Sequence, residues 1–335
     1  MTSVRKKNYK VVIIGCGLIG KKRAHSLVDS DLIACCDSNV DNAKNFSQEF
    51  GDIACYSDSE KMLKDVEADI AIIATPHKFL PEITKLCLSY GLNVLVEKPG
   101  AISHEDLKEI ELISEKNKLK IHVGFNHRFH RALMRAKDLI EDGEIGDLMF
   151  IRARYGHGGR VGYNKEWRSN PKISGGGELI DQGSHLIDLS RWLLGEFDEV
   201  NGFATNYYWE MPVDDNVFIT LKTKDNKVAF LQASCTEWKN TFSFEIYGKK
   251  GKIDISGLGR SYGIEKITFY KMLPQMGPPE TTSWEFPMED NSWKVEYKTF
   301  LSEIENDLNC SPGLKDAIEV LKIINHIYSK SGYKW

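Results

Sequence analysis

The segment GGGELIDQGSHLIDLSRW, residues 175–192, carries Asp181, His185 and Asp188. An imidazole ordinarily titrates near pH 6.5, and a carboxylate one helical turn away can orient it, so these residue types at this spacing suit proton transfer at cellular pH. At about 100° per residue of helix, Leu179, Gly183, Leu186, Ile187, Ser190, Leu193 and Leu194 gather on one face, which predicts a core face. Asp181, His185, Asp188 and Trp192 fall in a strip roughly 60° wide turned away from it. That strip is either a solvated face, with a surface pair contributing roughly a few tenths of a kcal/mol, or a face offered to a ligand. The three glycines ahead of it suit either a sharp turn of the chain or the close approach of another molecule to the backbone. Lys98, in VEKP, is the other candidate. Pro99 keeps it out of helical geometry, and an ammonium beside a reacting hydroxyl stabilises developing oxyanion charge; the alternative is an ordinary surface lysine.

The elements that must position these groups begin with VVIIGCGLIGKKRAHSL, which reads strand, tight turn, helix. Gly15, Gly17 and Gly20 have the G-x-G-x-x-G spacing: Gly15 permits the turn, Gly17 leaves room for a pyrophosphate at the helix N-terminus, and Gly20 lets helix and strand pack closely. Cys16, Leu18 and Ile19 complete the expected phosphate loop. The next apolar run, LIACCD, ends in Asp37 followed by Ser38, about twenty residues on, where an acid binds an adenosine ribose diol. A carboxylate there repels a ribose phosphate, so NAD is expected over NADP, with Lys21, Lys22 and Lys44 softening the preference; a helix cap is the alternative for Asp37. ADIAIIATPHKF, LPEITKLCLSYG, LNVLVEKPG, SHEDLKEIELISEKN and LKIHVGF then alternate strand and helix, which predicts a parallel, doubly wound sheet. Ligands gather beyond the carboxyl ends of such strands, which selects Ala74, Thr75, Pro76 and His77 after one strand and Glu97 with Lys98 after another.

With 335 residues, 41% of them hydrophobic, the chain can bury ample core and suggests two domains. A net charge of −4, with neither half basic, argues against nucleic acid as a partner. The seven cysteines have no CxxC spacing and read as reduced thiols, and His127 and His130 lack a companion metal motif, so no metal is expected. Basic VRKKNYK before VVIIGC imitates a secretory signal, but its apolar run is too short, and no stretch approaches the roughly 20 apolar residues of a membrane span. A cytoplasmic, soluble protein is expected. Between Arg152 and Lys172 six Lys or Arg residues accompany His157 and one acid, Glu166, interleaved with Tyr155, Tyr163 and Trp167. The segment is either a clamp for a phosphate or carboxylate, with aromatics stacking on a sugar or base, or a solvated loop.

GCGLIG, ATPHKF, VEKP, GFNHRF and GGGELIDQGSHLIDLSRW together resemble the Gfo/Idh/MocA family of NAD(P)-dependent oxidoreductases. The resemblance implies a dinucleotide-binding Rossmann domain over residues 1–124. It also implies an α+β substrate and oligomerisation domain over 125–335, with a large, open, mostly antiparallel sheet and a C-terminal helix that could pack back on the first domain. VFITLKT, KVAFLQASCT, FSFEIYG and KIDIS fit that sheet as β-rich runs, and LKDAIEVLKIINHIYSK fits the closing helix. By position the resemblance makes Lys98, Asp181 and His185 catalytic, with Lys98 or His185 as the base. Asn126, Arg128, Trp167 and Arg168 match positions that border the cofactor or substrate, Asn126 and Trp167 being expected at the cofactor, Arg128 at the substrate and Arg168 at both; the 152–172 segment adds Tyr155, Arg160 and Tyr163 as expected substrate contacts. Lys98 and His185 are then expected on opposite sides of one reacting carbon. The implied reaction is hydride transfer between nicotinamide and a sugar carbinol carbon, of a nucleotide-linked or acidic sugar used in surface polysaccharides. Free sugars or inositols are an alternative substrate class, and an NAD-assisted glycoside hydrolase or a non-catalytic sensor an alternative role. A homodimer or tetramer through the C-terminal sheet is expected.

Overall fold

In the computed structural model, which describes residues 8–334, each β-branched run of the first 125 residues becomes one strand of a parallel sheet. The strands are β1 (Tyr9–Ile14), β2 (Ser30–Cys36), β3 (Ala54–Tyr56), β4 (Ile70–Ile73), β5 (Asn93–Glu97) and β6 (Ile121–Gly124), in the spatial order β3-β2-β1-β4-β5-β6. Helices α1 (Leu18–His25), α2 (Val40–Glu49), α3 (Ser59–Asp65), α4 (Leu80–Ser89) and α5 (His104–Asn117) make the connections. Ile70–Ile73 is buried at every position, as a strand covered on both faces requires. Strand order reverses between β1 and β4, the place where doubly wound sheets open a crevice at their carboxyl ends. Most of the basic segment ahead of β1, read above for a signal, lies outside the described residues.

This unit also includes Trp293–Glu319, which the sequence reading had placed in the second domain. The physical reason is shared burial: Tyr297, Phe300 and Leu301 of helix Ser292–Glu305 complete the core formed by Val11, Ile13, Phe46 and Ile72. A buried charge network pins the same helix. The guanidinium of Arg23, on α1, bridges Glu97 and Glu296, and a Cβ on Gly124 would overlap it. His122 Nδ1 pairs with Glu303 Oε2 at 2.8 Å, and burial of the ring is outweighed by its hydrogen bonds to Cys310, Glu296 and Glu303, which hold it well above its ordinary pKa. His122, Glu303 and Cys310 are the one trio among the described residues with clustered metal-ligand atoms, within 4.8 Å of one another, and no expectation included it.

The second unit comprises Asn126–Ser292 and Val320–Trp335. Its eight strands are β7 (Leu148–Gly156), β8 (Glu199–Thr205), β9 (Asn216–Lys222), β10 (Val228–Ser234), β11 (Thr241–Gly248), β12 (Gly251–Ser256), β13 (Glu265–Lys271) and β14 (Glu280–Phe286). They run in the order β14-β13-β12-β11-β7-β10-β9-β8, antiparallel except where β10 lies parallel to β7. Burial alternates along β11 and β12, so one face packs inward. Helices α6 (Arg131–Glu141), α7 (Pro171–Ser174) and α8 (Ser184–Leu194) lie in this unit, with α8 against β7 and β10. Phe150, Phe203 and Phe230 are exposed. Helix α9 (Ser292–Glu305) is described above, and α10 (Leu314–Lys330) closes the chain. No helix among the described residues is long and apolar enough to cross a membrane.

Candidate active site

In the first unit the glycine loop has the geometry its spacing predicts. Gly15 takes a φ of +101°, where a side chain is strained, and its Cβ would overlap the Ala74 carbonyl. A Cβ on Gly20 would overlap the Gly15 carbonyl oxygen, whereas one on Gly17 would meet nothing within 4 Å. The loop is thus closed where strand and helix pack and open where a pyrophosphate approaches. Asp37 accepts from Cys16 N at 2.9 Å and from Asn39 N at 2.9 Å, so its carboxylate is fixed beside the loop; the capping of α2 falls to Asn39 instead. The Thr75 hydroxyl oxygen is buried and has no partner among the described residues. Open glycine, oriented acid and orphaned hydroxyl fit a dinucleotide. Of the cations that could soften the NAD preference, Lys21 is paired with Glu49 at 2.5 Å and Lys22 sits 5.4 Å over Trp293.

Lys98 follows β5, with Gly100 N closing the turn onto the Glu97 carbonyl at 2.9 Å. Glu97 departs from expectation: its carboxylate turns inward to Arg23 rather than outward, because the buried guanidinium needs an anionic partner. Burial raises its pKa and Arg23 opposes the rise. His77 is buried, and Ala74, Thr75 and Pro76 are half-buried at the end of β4.

In the second unit the 175–192 segment is not one regular helix. Leu179–Gly183 forms a π-helical turn before α8, so the register from Asp181 to His185 and Asp188 is not that of a continuous α-helix. The glycines earn their place here: a Cβ on Gly177 would overlap the Asp214 carbonyl and one on Gly176 the Tyr328 ring. Buried Asp214 accepts from Gly177 N and Leu179 N, each at 2.8 Å, and from the Tyr328 hydroxyl at 2.7 Å, fixing the entrance to the turn. Burial raises the Asp214 pKa to about 6 against these bonds.

The expectation that Asp181, His185 and Asp188 share a strip turned from the core is overturned. Asp188 is 0% exposed and accepts from Arg128 Nε at 2.8 Å and Nη2 at 2.5 Å. Arg128 therefore braces α8, with its Nε and Nη2 both donating to the buried carboxylate. Leu193, expected in the core, is only half-buried. His185 is buried too, its ring stacked on His127 with centroids 3.6 Å apart and planes 18° apart. His127 Nδ1 meets Asn126 Oδ1 at 3.2 Å, and Asn126 Nδ2 donates to Ser292 Oγ at 3.0 Å, so Asn126 orients the ring beneath His185. Asp181 accepts from Arg168 Nε at 3.0 Å, and Arg168 lies 4.7 Å over Trp167.

Tyr155 lies 6.4 Å from His185 and 5.0 Å from Tyr262, centroid to centroid. Burial, then Tyr262, Asp181 and Glu178, push its phenol well above the ordinary range, so it stays protonated. Tyr163 donates to Glu178 Oε1 at 2.7 Å. Glu178, which sequence reasoning missed, is 1% exposed and raised to about 8, by burial first and by Asp181 next. Its signal was the acid directly after three glycines; nothing local announced its burial. His157 Nε2 is 3.7 Å from Glu178 Oε1, and burial lowers the His157 pKa. Three of the six cations of 152–172 are held in ion pairs. Arg160 is held bidentately by Glu166 at 2.7 and 2.6 Å, Arg168 by Asp181, and Arg152 by Glu245.

A Rossmann sheet with an open phosphate loop, and a second unit presenting a fixed imidazole among buried phenols and carboxyls, define a dinucleotide-dependent oxidoreductase. Residues 9–125 match the family model for the oxidoreductase family with NAD-binding Rossmann fold, and 133–254 that for the Gfo/Idh/MocA C-terminal domain. The chain belongs to the Gfo/Idh/MocA family and is an NAD-binding dehydrogenase. It is 28% identical to the levoglucosan dehydrogenase of Pseudarthrobacter phenanthrenivorans, over 74% of this chain and 73% of that protein. It is 29% identical to the D-glucoside 3-dehydrogenase of Escherichia coli, over 67% and 70%. In fold it is similar to a levoglucosan dehydrogenase solved with NADH and levoglucosan (TM-score 0.87, 23% identity, 97% of each chain). It is likewise similar to the WlbA dehydrogenase of Bordetella pertussis solved with NADH and UDP-GlcNAcA (TM-score 0.81, 20% identity, 97% of each chain).

Proposed function

We propose that this chain oxidises a carbinol carbon of an uncharged sugar or glycoside, and that Lys98, Asp181 and His185 carry the reaction. NAD, held by the loop from Gly15 to Ile19 and by Asp37, supplies the hydride acceptor. His185 takes the hydroxyl proton; its stacking on His127 fixes where the ring nitrogens point. Lys98 stabilises alkoxide character on the same oxygen. Asp181, steadied by Arg168, hydrogen-bonds a neighbouring sugar hydroxyl. The observation that carries the choice of an uncharged sugar is the pairing of Arg160 and Arg168 with carboxylates, which neutralises two of the six cations of the expected anion clamp. The sugar and glucoside substrates in the relatives' names support the same choice, against the nucleotide-linked or acidic sugar expected from the basic run. A homo-oligomer through the sheet face carrying Phe150, Phe203 and Phe230 accompanies this reading.

Absorbance of reduced nicotinamide during incubation with neutral sugars, glycosides, uronic acids and nucleotide sugars tests it. Neutral sugars are expected to give the highest kcat/KM. His185→Asn should lower kcat by about 10²-fold or more and remove the acid limb of the pH–rate profile, and Lys98→Met should lower kcat with that limb retained. Wild-type turnover in both variants overturns the assignment.

A further inference from the structure

Beyond the cluster around Glu178, three consecutive aromatic residues, Tyr207, Tyr208 and Trp209, sit on a loop that the reaction does not explain. Tyr207 and Tyr208 are 70% and 57% exposed, and Trp238, on the neighbouring loop, is 64% exposed. Exposed rings on a loose loop would mean little, but these are held. Asp215, 0% exposed, accepts from the backbone N–H groups of Tyr207, Tyr208 and Trp209 at 3.0, 2.7 and 3.0 Å. Trp209 Nε1 donates to the Cys235 carbonyl at 3.0 Å. Trp238 has a φ of +55°, a left-handed conformation that a bulky residue adopts only when its surroundings impose it. The backbone of Gly158 lies against it, and a Cβ there would come within 3.1 Å of the Trp238 Cα. The three backbone donors and Asn216 Nδ2, at 3.0 Å, satisfy the buried Asp215 carboxylate, so the fold itself holds a loop that displays its rings to solvent.

The rings run continuously from the candidate active site outward. Tyr163, whose hydroxyl holds Glu178, has its centroid 5.7 Å from Trp209; Trp209 is 5.2 Å from Tyr208, and Tyr208 is 4.7 Å from Trp238 at 88°. We propose that Tyr208 and Trp238 form a distal subsite that stacks the second ring of a glycoside whose first ring is oxidised beside His185. The proposal rests on the uncharged-sugar reading above. Flat rings with polar tips suit a pyranose, which offers an apolar C–H face rimmed by hydroxyls. A nucleotide in the same place would bring a diphosphate to Arg160 and Arg168, which are already paired. The three exposed rings offer on the order of 400 Å² together, about half of what one partner of a stable dimer buries, so a second copy of the chain is a poorer occupant.

Calorimetric titration of the full-length protein with NAD, using methyl β-D-glucoside and cellobiose, methyl α-D-glucoside and maltose, tests the subsite. Wild type is expected to bind the better disaccharide about tenfold tighter than its one-ring counterpart. Trp238→Ala and Tyr208→Ala should each collapse that ratio towards one, and Trp238→Phe should largely restore it. A ratio of one in wild type, or a ratio unchanged in both alanine variants, overturns the subsite. So does loss of an oligomer in Trp238→Ala by light scattering, which would make the rings a contact between copies. A wild-type ratio near ten without reduced nicotinamide from any sugar would keep the subsite and refute the oxidation reading instead.

Discussion

Glu178→Gln isolates a strongly perturbed carboxyl of the second unit. Glutamine has nearly the shape of glutamic acid, accepts the Tyr163 hydrogen bond at the same oxygen, and cannot ionise. Burial raises the Glu178 pKa from 4.5 to about 8. Below pH 4.5 the carboxyl is protonated in both native and unfolded chains, so its contribution to stability is then complete. As pH rises the unfolded chain ionises first while the native one keeps its proton, and stability is lost until the native group ionises near 8. The loss across that window is about 5 kcal/mol, since each unit of pKa difference corresponds to about 1.4 kcal/mol. Urea unfolding of wild type and Glu178→Gln from pH 4.5 to 9 reads it, because titrations uncoupled from Glu178 cancel in the difference. The variants should match within about 1 kcal/mol at the acid end. At pH 8.5 the glutamine variant should be several kcal/mol more stable, equivalent to roughly 10 °C in the melting of a domain of this size. A difference between the two proteins that stays constant across the range refutes the buried, protonated Glu178.

Asp37→Ala removes the oriented acceptor, so fluorescence titration should show NAD binding weakened about ten- to hundredfold with NADP binding unchanged or improved. Gly20→Ala places a methyl against the Gly15 carbonyl, and both NAD affinity and thermal stability should fall, the latter by about 1–3 kcal/mol in denaturant titration. Arg128→Met leaves Asp188 charged and buried without its partner, a cost of about 3–5 kcal/mol in urea unfolding. Arg128→Met combined with Asp188→Leu should recover most of that loss; no recovery would mean that the pair does not brace α8.

The sequence alone determined what depends on neighbouring positions in the chain. The glycine spacing at 15, 17 and 20 specifies a turn whose steric demands are local, and the β-branched runs with helical segments between them specify a parallel sheet, because each strand must be covered on both faces. Asp37 was legible for the same reason: it ends the strand after the glycines. The motif order also carried the family resemblance, and with it Lys98, Asp181 and His185 as candidates.

Tertiary structure decided whatever rests on partners distant in the chain. Asp188 reads as a solvent-facing residue on a helical wheel, yet it is buried because Arg128 reaches it from 60 residues away. Asp181 and His185 lost their common strip because a π turn, clamped by Asp214 some 35 residues on, widens the helix between them. Glu97 turned inward for an arginine 74 positions earlier. Helix Ser292–Glu305 joined the Rossmann core because its apolar face completes that core, a fit no local pattern encodes. Periodicity reports which side of an element is apolar; the destination of a buried charge depends on the opposite charge that the fold brings to it.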